Sequence, residues 1–308
     1  MNRPDTRKYS ETGEDDRYLF AVSEMQGWRF TMEDTHVTMP TLAEGPEGTT
    51  DKNSFFAVYD GHGGSAVARF AKNNVHKRLI SDEAYREKRY EEAFKKAFLG
   101  TDEDLLADSL RDYGSTGCTA VAALITDDNK IYVANAGDCR AVLSVKGIAR
   151  PLSFDHKPVM ETERRRIEEA GGYIDDSRVN GNLSLSRAMG DFEFKRNHAL
   201  SPQKQMITAD PDVTVHDVTD EDEFLVLACD GIWDPTTSQE VVDFVRQRVS
   251  HDWELEEIGE KMCDHCLAPY RSPYHGIGCD NMTIIIVALL RGRTKQEWYD
   301  WIKDSEVR

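Results

Sequence analysis

Residues 55–64 read FFAVYDGHGG. An apolar run ends at Asp60, and a histidine among three glycines follows it. Aromatic and β-branched residues favour strands, so this run predicts a buried strand that delivers Asp60 at its tip. Gly61, Gly63 and Gly64 accept positive φ angles and let the backbone approach a ligand closely. The glycine spacing differs from the dinucleotide and P-loop fingerprints, so the segment does not predict a nucleotide cradle.

The pairing of an apolar strand with an aspartate recurs along the chain. Apolar runs lead to Asp138 and to Asp230, and a further apolar run follows Asp280. An Asp-Gly corner alone is typical of a hairpin turn, and only the repetition favours another explanation. A carboxylate that is buried without a partner is costly and tends to become protonated. No spare basic residue stands beside these strand tips in the sequence, and all-oxygen ligands favour Mg²⁺ or Mn²⁺ over Zn²⁺.

Two further residues near the first strand have side chains suited to phosphate chemistry. His62 lies two residues beyond Asp60, where an imidazole can protonate a leaving group, and its glycine neighbours do not favour a packed core histidine. Arg29 precedes Glu33 and Asp34, and a guanidinium suits a forked grip on phosphate oxygens. An arginine four residues from an acid often simply pairs with it at the surface, so Arg29 alone is a weak indication.

Six short segments, in order along the chain, resemble the metal-dependent protein phosphatases of type 2C. Their residues are most similar to those of the eukaryotic, particularly fungal, members. The segments are residues 29–34, 60–64, 137–138, 186–191, 228–234 and 279–283. The resemblance runs from about residue 18 to residue 290. It implies an α+β fold, a four-layer α-β-β-α sandwich of two mainly antiparallel sheets flanked by helix pairs, with a flap subdomain.

The resemblance also implies a binuclear centre of Mg²⁺ or Mn²⁺. Asp60 would bridge the two ions, and the carbonyl of Gly61 would bind one of them. Asp230 and Asp280 would hold the other ion.

Three more acids would belong to the same centre by this resemblance. Glu33 and Asp34 would act through water. Asp138, together with Asp230 and Asp234, would form a weaker third metal site.

By the same resemblance, Arg29 would bind the substrate phosphate, and Arg187 would lie in the flap that borders the cleft. Two cations about 4 Å apart lower the pKa of a shared water and hold phosphoryl oxygens for in-line attack. His62 would protonate the departing serine or threonine oxygen. The predicted function is therefore a Mg/Mn-dependent protein serine/threonine phosphatase. An inactive relative that only binds phosphoproteins, and a metal-dependent nuclease or nucleotide hydrolase, remain as alternatives.

The overall composition bears on partners and location. The 308 residues include 38 basic and 56 acidic side chains, a net charge of −18, which disfavours nucleic acids and anionic membranes as partners. We expect phosphorylated proteins as substrates and a monomeric chain. The polar N-terminus lacks an apolar signal region and a glycine at position 2, and the six cysteines are scattered. These features predict a cytoplasmic or nuclear protein with reduced thiols.

The chain is expected to form one catalytic domain with short additions. Residues 1–17 are charged and irregular and predict a flexible N-terminal tail. The catalytic domain would span 18–292, with the flap at about 151–193, and residues 293–308 would form a helical extension whose aromatic residues pack on the domain.

Helical periodicity is visible between the strands. The helices are expected at about residues 67–79, 86–111, 237–249 and 253–268. Thr237 and Glu240 form a capping box at the start of the third of these helices. The pair Cys263 and Cys266 has the spacing of a zinc ligand pair, but Cys266 continues the apolar face of the fourth helix, so we predict a core position.

Overall fold

The structure is a computed structural model that describes residues 3–44, 50–108, 114–270 and 276–306. Its strands are β1 Asp5–Glu14, β2 Tyr18–Gly27, β3 Thr35–Met39, β4 Ala43–Glu44, β5 Thr50–Asp51, β6 Ser54–His62, β7 Gly117–Ile125, β8 Lys130–Ala136, β9 Arg140–Val145, β10 Ile148–Pro151, β11 Ile174–Asp175, β12 Arg178–Val179, β13 Met189–Gly190, β14 Asp212–Asp217, β15 Asp222–Ala228 and β16 Met282–Leu289.

Eight α-helices lie within the described ranges. They are α1 Ala66–Ser81, α2 Glu83–Arg86, α3 Tyr90–Ala107, α4 Glu161–Glu169, α5 Asp230–Trp233, α6 Ser238–Val249, α7 Leu255–Cys266 and α8 Lys295–Glu306, with 3-10 turns at Phe192–Phe194 and Pro202–Lys204. None of these helices is long and apolar enough to cross a bilayer. The predicted capping box is confirmed, because Thr237 accepts from the backbone of Glu240 and the Glu240 side chain accepts from the backbone of Thr237.

Two antiparallel sheets form the centre of the molecule. The first has the order β1-β2-β16-β15-β9-β10, and the second has the order β14-β8-β7-β6-β3, with β13 beside β7. Every pairing within these two sheets is antiparallel. The predicted α+β class with two mainly antiparallel sheets is therefore confirmed.

Strand β6 shows how the layers arise from the sequence. Successive side chains of a strand point to opposite faces of the sheet. Phe55, Ala57 and Tyr59 pack in the cluster formed with α1 and α3, whereas Phe56 and Val58 pack in the cluster between the two sheets. All five side chains are fully buried, so β6 is apolar on both faces and reads as a continuous hydrophobic run.

The first sheet is covered on its outer face by α5, α6, α7 and α8, which share a third core cluster with β2, β15 and β16. Cys263 and Cys266 belong to this cluster and are buried, and for Cys266 this confirms the position predicted from its helical spacing. Helices therefore lie outside each of the two sheets, and the order of layers is helix, sheet, sheet, helix.

The prediction of a flexible N-terminal tail is wrong for residues 5–14. They form the edge strand β1, which pairs with β2 in register from Lys8 to Glu14. Ser10 Oγ also donates a hydrogen bond of 2.9 Å to Glu260 on α7. Most β1 side chains are exposed or half-buried, so the strand lacks the apolar alternation by which a strand is recognised in a sequence.

Helix α8 falls within the predicted helical extension and packs on the first sheet. Trp298 is fully buried, and its Nε1 donates a hydrogen bond of 3.1 Å to the carbonyl oxygen of Glu223. Tyr299 donates from its hydroxyl to the carbonyl oxygen of Trp253 at 2.9 Å. These contacts anchor α8 to β15 and to the connection between α6 and α7.

We therefore expect Trp298→Ala to destabilise the fold by about 3–5 kcal/mol, because truncation removes a large buried side chain and leaves the Glu223 carbonyl without its donor. Urea unfolding monitored by circular dichroism measures the change. The exposed Gln296 on the same helix provides a control, since Gln296→Ala should alter stability by less than about 0.5 kcal/mol. Equal, small effects of both substitutions would show that α8 is not part of the cooperative fold.

Candidate active site

A cleft of about 400 Å³ opens where ends of the two sheets meet. Eight of the residues predicted for the site line it: Arg29, Glu33, Asp60, Gly61, His62, Asp138, Asp230 and Asp280. The flap contributes a second group of lining residues: Arg178, Leu183, Ser184 and Leu185. The strand-tip aspartates, which are up to 220 residues apart in the sequence (60 to 280), thus face one cavity.

Strand ends and tight connections deliver the four strand-tip aspartates. Asp60 lies near the end of β6, and Asp138 lies in the turn between β8 and β9. Asp230 begins α5 directly after β15, and Asp280 stands two residues before β16. Since β6 and β8 belong to the second sheet and β15 and β16 to the first, both sheets supply acids to the cleft.

The carboxylates of Asp60 and Asp230 are in an unfavourable electrostatic position. Burial raises the pKa of Asp60 well above its usual value, and the nearby acids Asp34 and Asp230 raise it further. Burial also raises the pKa of Asp230 well above its usual value, with Asp138 as the largest charge contribution. Within the described ranges neither carboxylate accepts a side-chain hydrogen bond or forms an ion pair, and Arg29, whose pKa both acids help to raise, acts on them only through its charge.

Asp34 lies behind the cleft rather than on its surface. Its Oδ2 accepts a hydrogen bond of 2.7 Å from Thr283 Oγ1, and burial raises its pKa to about 7 although Thr283 and Cys229 oppose the shift. Potential ligand atoms of Asp34, Asp60 and Cys229 lie within 4.8 Å of one another. Asp34 therefore backs Asp60, which is compatible with the indirect role that the family resemblance implies.

Glu33 is held in place by both of its carboxylate oxygens. Oε1 accepts from Thr31 Oγ1 at 2.7 Å, and Oε2 accepts from the backbone N–H of Gly64 at 3.0 Å. The backbone N–H of Glu33 donates to Asn281 Oδ1 at 2.9 Å, and Asn281 Nδ2 donates to the carbonyl oxygens of Gln26 and Thr31. Asn281, which directly follows Asp280, thus holds the loop that carries Glu33 beside Asp280. The sequence did not reveal this role.

The expectation that these acids lack basic neighbours is wrong for two of them. Arg29 forms an ion pair with Asp280, and Lys157 Nζ lies 2.5 Å from Asp138 Oδ2. Although burial alone would lower the pKa of Lys157, the charges of Asp138 and Asp234 raise it above its usual value. Both cations come from distant segments, so inspection of the residues beside each strand tip could not find them.

His62 is oriented by a partner that the sequence did not indicate. Its Nε2 lies 2.8 Å from Oδ2 of Asp191, a side chain that is almost completely buried. Gly117 makes room for this pair: a Cβ atom at position 117 would lie 2.1 Å from Asp191 Oδ2 and 2.4 Å from His62 Nε2. His62 and Asp191 are 129 positions apart in the sequence, so only the folded chain shows the pair.

Arg187 lies in the predicted flap, but its side chain does not line the cleft. Its guanidinium lies 2.8 Å from Glu163 and 2.8 Å from Asp212. Burial alone would raise the pKa of Glu163, but Arg187 and Arg166 bring it down to about 2. Arg187 therefore stabilises the flap, and Arg178 is the flap arginine that faces the cleft.

Comparisons with known proteins place this fold and cleft among the protein phosphatases. The family model for protein phosphatase 2C matches residues 18–272. Protein phosphatase 2C homolog 2 of Hypocrea jecorina is 52% identical over 306 residues, which cover 98% of this chain and 69% of the relative. Its namesake in Aspergillus fumigatus is 54% identical over 302 residues, covering 96% and 70%. The chain belongs to the protein phosphatase 2C family.

Solved structures agree with this assignment. The crystal structure of a phosphatase from a pathogenic strain of Toxoplasma gondii matches with a TM-score of 0.77 at 26% sequence identity. The match covers 92% of this chain and 96% of that chain. The prediction of the family from six short segments is thereby confirmed.

The raised pKa of Asp60 leads to a stability prediction for the metal-free protein. An acid whose pKa is raised by folding binds its proton more tightly in the folded state, so it costs stability as the pH rises above about 4. Removal of this charge by Asp60→Asn should therefore stabilise the protein more at pH 8 than at pH 5.

Urea unfolding in the presence of a chelator at the two pH values measures this difference. Asp16→Asn, at an exposed position, serves as the control and should show no such dependence. A gain from Asp60→Asn that is the same at pH 5 and pH 8 would contradict the electrostatic account of the cleft.

Proposed function

We propose that this chain is a Mg²⁺- or Mn²⁺-dependent protein phosphatase that hydrolyses phosphoserine and phosphothreonine. The observation that carries the proposal is the group of aspartates that face one cleft, of which Asp60 and Asp230 have no ion-pair partner within the described structure. An all-oxygen set of donors with excess negative charge suits hard divalent cations. Membership of the protein phosphatase 2C family supports phosphoproteins as the substrate class.

The residues of the cleft fit such a binuclear centre. Asp60 and the carbonyl of Gly61 would hold the first ion, and Asp60, Asp230 and Asp280 would hold the second. When bound, divalent cations of this kind lower the pKa of a coordinated water and neutralise charge on phosphoryl oxygens. Glu33 would contribute through water, since its carboxylate is already oriented by Thr31 and by the Gly64 N–H.

Asp34 would also act through water, because it lies behind Asp60 and accepts a hydrogen bond from Thr283. Asp138 and Asp234 would complete a weaker third site together with Asp230. The pKa of Asp234 is raised by burial, which is in keeping with a carboxylate near other acids.

Arg29 would bind the phosphate of the substrate. Its side chain is 57% exposed and is held by one carboxylate, Asp280, at the cleft wall. Because a guanidinium matches the geometry of two phosphate oxygens, exchange of Asp280 for a phosphate dianion is chemically favourable. We propose that this exchange positions the phosphorus atom above the aspartates.

His62 would supply the proton for the departing serine or threonine oxygen. Those alkoxide leaving groups are poor, so a positioned acid is worth about 10²–10⁴-fold in rate. Asp191 would accept a hydrogen bond from the Nε2–H of the imidazole. Nδ1 would then be the nitrogen that faces the substrate and donates the proton. Asp191 is a positioning residue in this scheme, because it acts only through His62.

Two alternatives are less well supported. An inactive phosphoprotein-binding relative would not need Glu33, Asp60, His62, Asp230 and Asp280 together, yet all of them line the cleft. A nuclease or nucleotide hydrolase is disfavoured by the net charge of −18, which repels a polyphosphate or a nucleic acid backbone.

We predict that hydrolysis of a phosphothreonine peptide requires added Mg²⁺ or Mn²⁺ and stops when a chelator is added. Asp60→Asn should lower kcat/KM by more than the roughly 10–100-fold that is typical for loss of an outer-shell partner. Phosphate release measures the rate, with Asp16→Asn as a control that keeps the wild-type value. Undiminished activity in the chelator, or a wild-type rate of Asp60→Asn, would refute the binuclear centre. Faster turnover of a phosphodiester or a nucleotide than of the peptide would favour the nuclease alternative.

A second prediction concerns the leaving group. His62→Gln should slow hydrolysis of a phosphoserine peptide by about 100-fold or more, because an alkoxide must be protonated as it departs. The same variant should lose less than about tenfold on p-nitrophenyl phosphate, whose leaving group is stable without a proton. Asp191→Asn should show the same pattern to a smaller degree, and the exposed His198 gives a control variant, His198→Gln. Equal losses on the two substrates would exclude the acid role.

A further inference from the structure

We propose that Lys157 lowers the affinity of the third metal position for a divalent ion, because its ammonium group is paired with Asp138, one of the carboxylates of that position. The inference rests on the proposed function, because it concerns the weaker site beside the binuclear centre. It assigns a role to a side chain that lies outside the six family-like segments.

The contact between Lys157 and the cleft is direct. Its Nζ donates to Oδ2 of Asp138 at 2.5 Å. The Asp138 side chain is only 6% exposed, so little water competes for this carboxylate. Asp234, the other acid proposed for the third site alone, acts on Lys157 as a further negative charge. The ammonium group thus already balances charge at the place where a third ion would bind.

The backbone around Lys157 holds this contact in register. The two residues before Lys157 are each anchored to the turn that carries Asp138. Asp155 forms two hydrogen bonds of 2.9 Å with Arg140. His156 exchanges bonds with Gly137: its backbone N–H donates to the Gly137 carbonyl at 2.9 Å, and its Nδ1 accepts from the Gly137 N–H at 3.2 Å. These hydrogen bonds fix the position of Lys157 relative to Asp138, so the ion pair is part of an ordered set of contacts and not a chance surface contact.

Charge balance explains why the third site differs from the other two. To bind Asp138, a divalent ion must displace the ammonium from this carboxylate, and the displacement costs the free energy of the ion pair. No lysine or arginine of the described ranges makes an ion pair with Asp60 or Asp230. Arg29 does pair with Asp280, but its guanidinium is more exposed than Lys157 and is expected to move to the substrate phosphate.

Counting of bound Mn²⁺ tests the inference without an activity measurement. The metal-stripped full-length chain is titrated with MnCl₂, and free Mn²⁺ is followed by electron paramagnetic resonance. We expect the wild-type chain to bind two ions tightly and a third ion weakly. Lys157→Gln should bind the third ion at least about tenfold more tightly, a change equivalent to about 1.4 kcal/mol. Lys157→Arg keeps the positive charge and should resemble the wild type.

The outcomes separate this inference from the function on which it rests. Two tight sites in every protein, with no gain of third-site affinity in Lys157→Gln, would overturn the role of Lys157 and leave the binuclear centre intact. A wild-type chain without two tight sites would overturn the binuclear centre and this inference with it. Thermal unfolding of the three proteins verifies that the neutral variant is folded.

A measurement on the unaltered chain covers the case in which Lys157→Gln does not fold. Acetylation of lysine amines by a small reagent, read out by mass spectrometry, reports how free each ammonium group is. Lys157 should react slowly while two Mn²⁺ ions are bound and several-fold faster once the third site fills. Lys146, which is well exposed and paired with Glu221, should react at a constant rate and serves as the internal control. A Lys157 rate that does not change as the third ion binds would overturn the inference.

Discussion

Mutual repulsion among aspartates held in a poorly solvated cleft is the interaction on which the rest of this structure depends. Isolated carboxylates at such positions would take up protons or draw in water. The protein prevents relaxation by mounting Asp60 and Asp230 at the ends of β6 and β15, strands that are buried on both faces. The two stacked sheets thus serve as a rigid frame that keeps like charges together.

The flap shows that excess charge is not a general property of the buried acids. The side chain of Glu163 is only 1% exposed, yet Arg166 and Arg187 pair with it and bring its pKa down to about 2. The pKa values of Asp60 and Asp230 move in the opposite direction because no arginine or lysine pairs with them in the described structure. The chain therefore pairs an acid that only stabilises the fold with two arginines, whereas two acids of the cleft, Asp60 and Asp230, have no ion-pair partner among the described residues.

Those parts of the structure that depend on local periodicity could be predicted from the sequence. The continuous apolar run of residues 55–59 predicts β6, and the pair Thr237 and Glu240 predicts the start of α6, because both signals lie within one element. The edge strand β1 carries no such signal, since its pairing with β2 is made by the backbone while most of its side chains remain solvated. An exposed edge strand resembles a polar tail in composition.

Contacts between distant loops were the second limit on prediction from the sequence. Asp191 orients His62, and Lys157 pairs with Asp138, but the sequence around each acid contains no trace of its partner. Arg187 illustrates the converse, because a conspicuous arginine in a family-like segment proves to be paired with Glu163 of the flap and with Asp212. The residue type at a strand tip predicts that a charge is present, whereas only the packing of loops decides how the charge is balanced.

The convergence of Asp230 and Asp280 depends on one point of backbone contact. A Cβ atom on Gly231 would lie only 1.9 Å from the carbonyl oxygen of Asn281, so any larger residue would push β16 and α5 apart. Each of these two contact residues directly follows an aspartate of the cleft. Asn281 in turn holds the loop of Glu33 through its side-chain amide. Close backbone approach at Gly231 thus sets how near the acids lie to one another, and with it the charge density that a cation must neutralise.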